Sequence, residues 1–244
     1  MIVHLTVFIL LVYALSLYLR DMSIMDIAWG LGFILVTSVA YFEGTQSLLS
    51  LIVYVMVVCW GLRLSGHIFM RYKGEDWRYK AWRKAWGKTV VWRSLLQVFL
   101  LQGIILYVVS LPVLVLVMYP VQVSGWTIAG LLIWVVGYTM ESVADWQVRQ
   151  HRKRSKTILK EGLWKYSRHP NYFGETLHWW GFTVMCVPLM FTYNVWWVLA
   201  SPVLITYLVR FVSGVPMLEE KFVKATGYKE YMKRTNAFVP WFPK

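Results

Sequence analysis

Charge is scarce in this sequence, and negative charge scarcer still. Of its 244 residues 15% are Asp, Glu, Lys or Arg, with 12 acidic against 25 basic side chains. Soluble globular domains carry about 25% charged residues, so an ordinary water-soluble fold is excluded. Cysteine is nearly absent: Cys59 and Cys186 both sit inside apolar runs, which excludes a disulfide framework. Only five histidines are present, too few for a histidine-rich metal box. Glu175 and His178 match the Glu-x-x-His spacing of di-iron bundles, but such a site needs the pair twice and further glutamates. No metal is expected. Internal repeats and low-complexity linkers are lacking too. Residues 1–19 have neither a basic leader region nor a small-residue cleavage motif, and read as a retained membrane span rather than a signal peptide.

What the chain does have is apolar length. Hydrophobic residues make up 58% of it and the mean hydropathy is +0.52. Runs of about 18 or more apolar residues are long enough to cross a bilayer core as helices. Seven are predicted, at about 2–19, 24–42, 47–69, 95–118, 125–144, 171–190 and 194–212. The predicted fold class is therefore all-α, a polytopic membrane helical bundle forming one domain over 1–244. Its basic residues sort by connection. Segment 70–94 holds eight, segment 145–170 eight more (Lys156 among them) and the residues after 212 six, while 43–46, 119–124 and 191–193 hold none. Positively charged connections stay in the cytoplasm, so the N-terminus is predicted outside and the C-terminus inside. The same sorting assigns the net charge of +13 to orientation and contact with membrane lipids, and no nucleic-acid partner is expected.

Ionisable residues inside spans are costly, about 2.5 to 3.5 kcal/mol each at mid-depth, and default to function. Here they are Asp26, Arg63, Glu141, Asp145, Glu175, His178 and Arg210, all toward the basic ends of their spans. Snorkelling suits Arg63 and Arg210 but not the short Asp26 and Asp145. In "ESVADWQVRQHRKR" the residues Glu141, Asp145, Arg149 and Arg152 share one helical face that turns from acidic to basic as it leaves the membrane. Such a face can accept from ribose hydroxyls and grip phosphates, or hold an internal Asp145–Arg149 pair. In "RHPNYFGETLH", Pro170 suits the first turn of a helix, whose N-terminus beside Arg168 and His169 is a seat for an anion. Asn171, Glu175 and His178 then form one polar stripe, open both to a ligand and to helix–helix hydrogen bonding. The segment after 212 reads either as an interfacial amphipathic helix or as a lid over a bound cofactor.

Taken together, "SIMDIAWGLGF" (23–33), "RYKGEDWRY" (71–79), "ADWQ" (144–147), "GLWKYSRHPNYFGE" (162–175) and the tail from "GVPMLEEKF" to "FVPWFPK" carry a resemblance over essentially the whole chain. They resemble the steroid 5-alpha-reductase-like membrane reductases, most closely a bacterial branch long labelled as a domain of unknown function. The resemblance implies NADPH bound among the C-terminal helices (95–244) and a hydrophobic small-molecule substrate drawn from the bilayer into the helices of 1–94. Carried over by position, Asp145, Arg152, Asn171, Glu175, Arg210, Tyr231 and Arg234 correspond to the cofactor pocket, and Glu141, Arg149, Arg168, His169 and Tyr172 lie with them. The eukaryotic branch polarises a substrate carbonyl with a Glu and a Tyr; this chain has Asp26 in the second span, and the corresponding stretch of the third, "CWGLRLSG", has Trp60 and Arg63 but no tyrosine. Asp26 and Arg63 are the expected catalytic residues of an oxidoreductase that reduces the C=C bond of a lipid-like or steroid-like enone. An "RHPNY" stretch and a similar tail also occur in isoprenylcysteine carboxyl methyltransferases, so an S-adenosylmethionine-dependent methyltransferase is the alternative. The expected location is a bacterial inner membrane, with the cofactor site facing the cytoplasm.

Overall fold

Helices dominate because uninterrupted apolar runs leave the backbone only its own hydrogen bonds inside a bilayer. The computed structural model describes residues 1–155 and 157–244, and no strand occurs among them; Lys156, counted above with a basic connection, lies outside the described residues. Twelve α-helices follow one another among these residues, with short 3-10 and π turns between some of them. The chain is an all-α integral membrane protein. Among the described residues six helical stretches are long and apolar enough to cross a membrane: Ile2–Leu19, Ile24–Glu43, Leu48–Arg71, Trp77–Met118, Gly125–Arg154 and Trp196–Phe222. The sixth predicted span, 171–190, is instead two helices, Pro170–Met185 and Val187–Tyr193, which meet at Cys186. Pro188 follows that joint and cannot donate to the preceding turn. The chain divides into two compact units, Met1–Gln122 and Val123–Lys244.

The first unit contains α1 (Ile2–Leu19), α2 (Ile24–Glu43), α3 (Leu48–Arg71), α4 (Trp77–Trp86), α5 (Val90–Ser94) and α6 (Leu101–Met118). Two glycines let α2 and α3 touch backbone to backbone: a Cβ on Gly61 would come within 2.7 Å of the Gly30 carbonyl. Phe33 and Trp60, both buried, meet edge-on beside this crossing with ring centroids 5.2 Å apart. The short α4 is started by Asp76, whose carboxylate accepts from the Arg78 backbone N–H at 3.0 Å.

The second unit contains α7 (Gly125–Arg154), α8 (Pro170–Met185), α9 (Val187–Tyr193), α10 (Ala200–Tyr207), α11 (Val215–Phe222) and α12 (Tyr228–Arg234). At 30 residues, α7 is roughly 45 Å long against a hydrocarbon core of about 30 Å, so its last turns project beyond it. These turns carry the acidic-to-basic face. The axis of the unit is the α7–α8 pair. Gly130 and Gly137 on α7 face Gly181 and Gly174 on α8, and a Cβ on Gly137 would fall 2.6 Å from the His178 backbone nitrogen. Seven-residue spacing on both antiparallel helices brings the backbones together twice, the small-residue packing that membrane helices use in place of hydrophobic burial.

Candidate cofactor site and the acidic cluster of the first unit

The glycine contacts set what comes next along α7. Gly174 packs against Glu141, and four residues on Asp145 reaches the start of α8. The Asn171 amide donates to the Asp145 carboxylate at 3.1 Å, and the His178 ring lies 3.5 Å from the Glu141 carboxylate. Glu141, Asp145 and His178 are all buried. The polar stripe of α8 thus meets the acidic part of the α7 face, and Asn171 and His178 bridge the helices. Tyr172 and Glu175 are half-buried on the same helix. Beyond Asp145 the face emerges: Arg149 and Arg152 are exposed.

Arg168 and His169 turn the other way. The anion they meet is the protein's own: Glu219 of α11 accepts from Arg168 at 2.7 Å, and the His169 ring lies 3.3 Å from it. The Arg168 guanidinium also donates to the Met232 carbonyl at 3.1 Å and to the Thr235 carbonyl, while its backbone N–H donates to Asn236 at 2.9 Å. These acceptors are the last carbonyls of α12 and the residues after it, groups that a helix C-terminus leaves without internal partners. Arg168 is therefore a cap for α12 and a bolt for the tail. His169 stacks on Tyr172, ring centroids 5.7 Å apart. Ser167 completes the anchor by donating to the Phe238 carbonyl at 2.7 Å. Tyr231 is buried and its hydroxyl donates to the Trp164 carbonyl, so it too holds the tail in place. Burial raises the Tyr228 phenol to about 12 and also pushes the Tyr231 phenol up, so both stay protonated at neutral pH. Arg234 is exposed, and Arg210 lies apart from this network, half-buried in a cleft described below. The sequence reading missed Glu219 as the partner of Arg168. Its signal was the pair "EE" in "GVPMLEEKF", a carboxylate in a chain with few of them.

In the first unit, "SIMDIAWGLGF" and "RYKGEDWRY" interlock. The Asp26 carboxylate accepts from Arg78 at 2.8 Å and from the Tyr79 hydroxyl at 2.6 Å, one donor on each oxygen. Arg78 also bonds Asp76 at 2.8 Å, and the Gln102 amide donates to the Tyr79 hydroxyl at 3.3 Å. Around this centre Asp21 accepts from Tyr72 at 2.5 Å, Glu75 pairs with Arg83 at 2.7 Å, and the Asp76 backbone N–H donates to the Ser23 hydroxyl at 2.6 Å. Tyr79, buried and in contact with Asp26, is the residue the sequence did not single out. Arg63 is half-buried on α3 between Gly61 and Ser65, the residues that touch Gly30 of α2. No cluster of three or more metal-binding side chains occurs among the described residues.

A protein-family model described as "Protein of unknown function (DUF1295)" matches residues 12–235, nearly the whole chain. The chain belongs to the DUF1295 family. No curated protein and no solved structure matches it. Membership covers both units, so the α7–α8 pair, the Arg168 anchor and the Asp26 cluster all fall inside the family's boundaries.

Proposed function

We propose that this DUF1295 protein is an NADPH-dependent oxidoreductase of the steroid 5-alpha-reductase-like type, reducing the C=C bond of a hydrophobic enone taken from the bilayer. The supporting observation is the α7 face, which runs from buried Glu141 and Asp145 to exposed Arg149 and Arg152 and is pinned to α8 through Asn171. These residues fit a phosphate-rich dinucleotide by their chemistry. Carboxylate and amide oxygens accept from hydroxyl or amide groups, and exposed guanidiniums grip phosphates in bidentate pairs. Arg149, Arg152 and Arg234 hold the phosphates; Asp145, Asn171 and Glu175 orient the rest. Arg168, His169 and Tyr231 act as positioning residues that fix the tail and the entry to α8. NADPH supplies the hydride.

The reaction also calls for an acid at the carbonyl oxygen. Asp26 accepts on both oxygens, so the nearest proton in its cluster is the Tyr79 hydroxyl; Asp26 aims it and Arg78 balances its charge. Arg63 remains a candidate from its place inside a span. The basic connections orient the chain with the C-terminus and cofactor site in the cytoplasm, and the location proposed is a bacterial inner membrane. Titration with NADPH, read by nicotinamide fluorescence at rising salt, tests the reading. Micromolar binding that weakens with salt and is lost in Asp145→Asn supports it, whereas salt-independent binding, or none, rejects it.

One observation favours a second reading. The commitment of Arg168 and His169 to Glu219 leaves fewer cations for a cofactor carrying several negative charges. S-adenosylmethionine, a smaller cofactor with a carboxylate, needs fewer, and a methyltransferase would bind it on the same face. Methyl transfer to an isoprenylcysteine-like carboxylate, assayed beside NADPH oxidation, separates the two.

A further inference from the structure

The second unit contains a cleft of about 550 Å³ bounded by α8, the π turn after α10 and residues 236–239 of the tail. Its walls are aromatic and aliphatic: Phe173, Leu177, Trp180, Phe211 and Phe238. The lining hydroxyls are turned to the protein. Thr176 donates to the Phe173 carbonyl at 2.9 Å, and Thr206 accepts from the Trp180 indole at 3.2 Å while donating to the Pro202 carbonyl at 2.5 Å. Arg210 is the lone charged group of the lining, half-buried, with its guanidinium 4.9 Å from the centre of the Phe211 ring. No carboxylate lines the cleft, and among the described residues no ion pair or hydrogen bond to the Arg210 guanidinium is formed. A cation held in an apolar recess without a counter-ion is a site for an anion that brings its own apolar body. The size suits one chain, since ligand pockets span about 300 to 1,000 Å³.

We propose that this cleft binds a single-chain carboxylate amphiphile of the fatty-acid class, its carboxylate on the Arg210 fork and its chain along the aromatic wall. A single guanidinium matches the two oxygens and one charge of a carboxylate; a phosphate monoester would bring nearly twice that charge to the same fork. The proposal does not rest on the identity of the cofactor.

Photo-crosslinking tests it. Full-length protein in membranes is exposed to a diazirine-bearing palmitic acid, or to the matching alcohol, and labelled peptides are mapped. The acid is expected to label 173–180 and 206–211 about tenfold more than the alcohol, and Arg210→Met to remove that preference. Ala237→Trp, which fills the cleft without touching the charge, is expected to abolish labelling by both and covers the case in which Arg210→Met fails to fold. Equal labelling by acid and alcohol overturns the proposal, as does wild-type labelling in either variant. If Arg210→Met abolishes stabilisation by NADPH but leaves labelling intact, Arg210 serves the cofactor and the proposal fails while the reductase reading stands. A phosphate-headed chain that competes better than palmitate also overturns it.

Discussion

Replacing Arg168 with Ala should free the tail without touching the exposed cations of α7. The side chain bonds Glu219, the Met232 carbonyl and the Thr235 carbonyl, and only 8% of it is exposed. Removing one partner of a buried ion pair costs about 3 to 5 kcal/mol, because the other charge stays behind. Glu219 keeps 17% of its side-chain surface in contact with solvent, which places the cost near the lower end, about 3 kcal/mol, or roughly a hundredfold in the opening of α12. Limited trypsin digestion of the detergent-solubilised protein reads this directly at the exposed Lys224, Lys229 and Lys233, since cleavage follows the population of the opened form. Arg168→Lys should recover little, because a point charge cannot serve a carboxylate and two carbonyls together. Glu219→Ala combined with Arg168→Ala should cost less than the two single changes summed, the sign of direct coupling. Unchanged protection of the tail in Arg168→Ala, with loss of cofactor binding alone, would refute the anchor and return Arg168 to the phosphate site.

Other outcomes follow from the same geometry. Gly137→Leu should destabilise the second unit by more than about 3 kcal/mol in a thermal melt, because even its Cβ meets the α8 backbone at 2.6 Å. Gly66→Ala, where nothing lies within 4 Å of the new atom, should be neutral or stabilising by up to about 1 kcal/mol. Tyr79→Phe keeps the ring and removes the proton beside Asp26; turnover should fall at least about 100-fold with cofactor binding unchanged, and full turnover would exclude the acid role. The Tyr72 phenol is raised above its ordinary value of 10.0 by donating to Asp21. That bond contributes fully below pH 10 and is lost as pH rises through the higher folded value, so Tyr72→Phe should flatten the alkaline limb of a stability–pH curve.

The membrane character and most helix positions were legible because apolar length is a one-dimensional property. The predicted ends at 19, 42 and 118 lie within a residue of those of α1, α2 and α6. The predicted span 125–144 ends where hydropathy falls, but α7 runs on to Arg154 because nothing in "ADWQVRQHRKR" breaks a helix. The sixth span read as one apolar run; its break at Cys186 depends on a proline two residues later, which hydropathy does not register. At the site, periodicity correctly put Glu141 and Asp145 on one face and Asn171 with His178 on another. That these faces meet depends on the register of Gly137 against Gly174, a property of two helices rather than of one. Arg168 shows the same limit. A basic residue before a helix N-terminus signals an anion, but the anion is 51 residues away in sequence, on α11.

The central claim is that the α7–α8 face receives an anionic dinucleotide, and a thermal-shift comparison on purified protein tests it most directly. NADPH should raise the melting temperature, NADH should do so less, and Asp145→Asn or the pair Arg149→Ala and Arg152→Ala should erase the effect. Stabilisation by S-adenosylmethionine and S-adenosylhomocysteine, with none from either nicotinamide, would contradict the account.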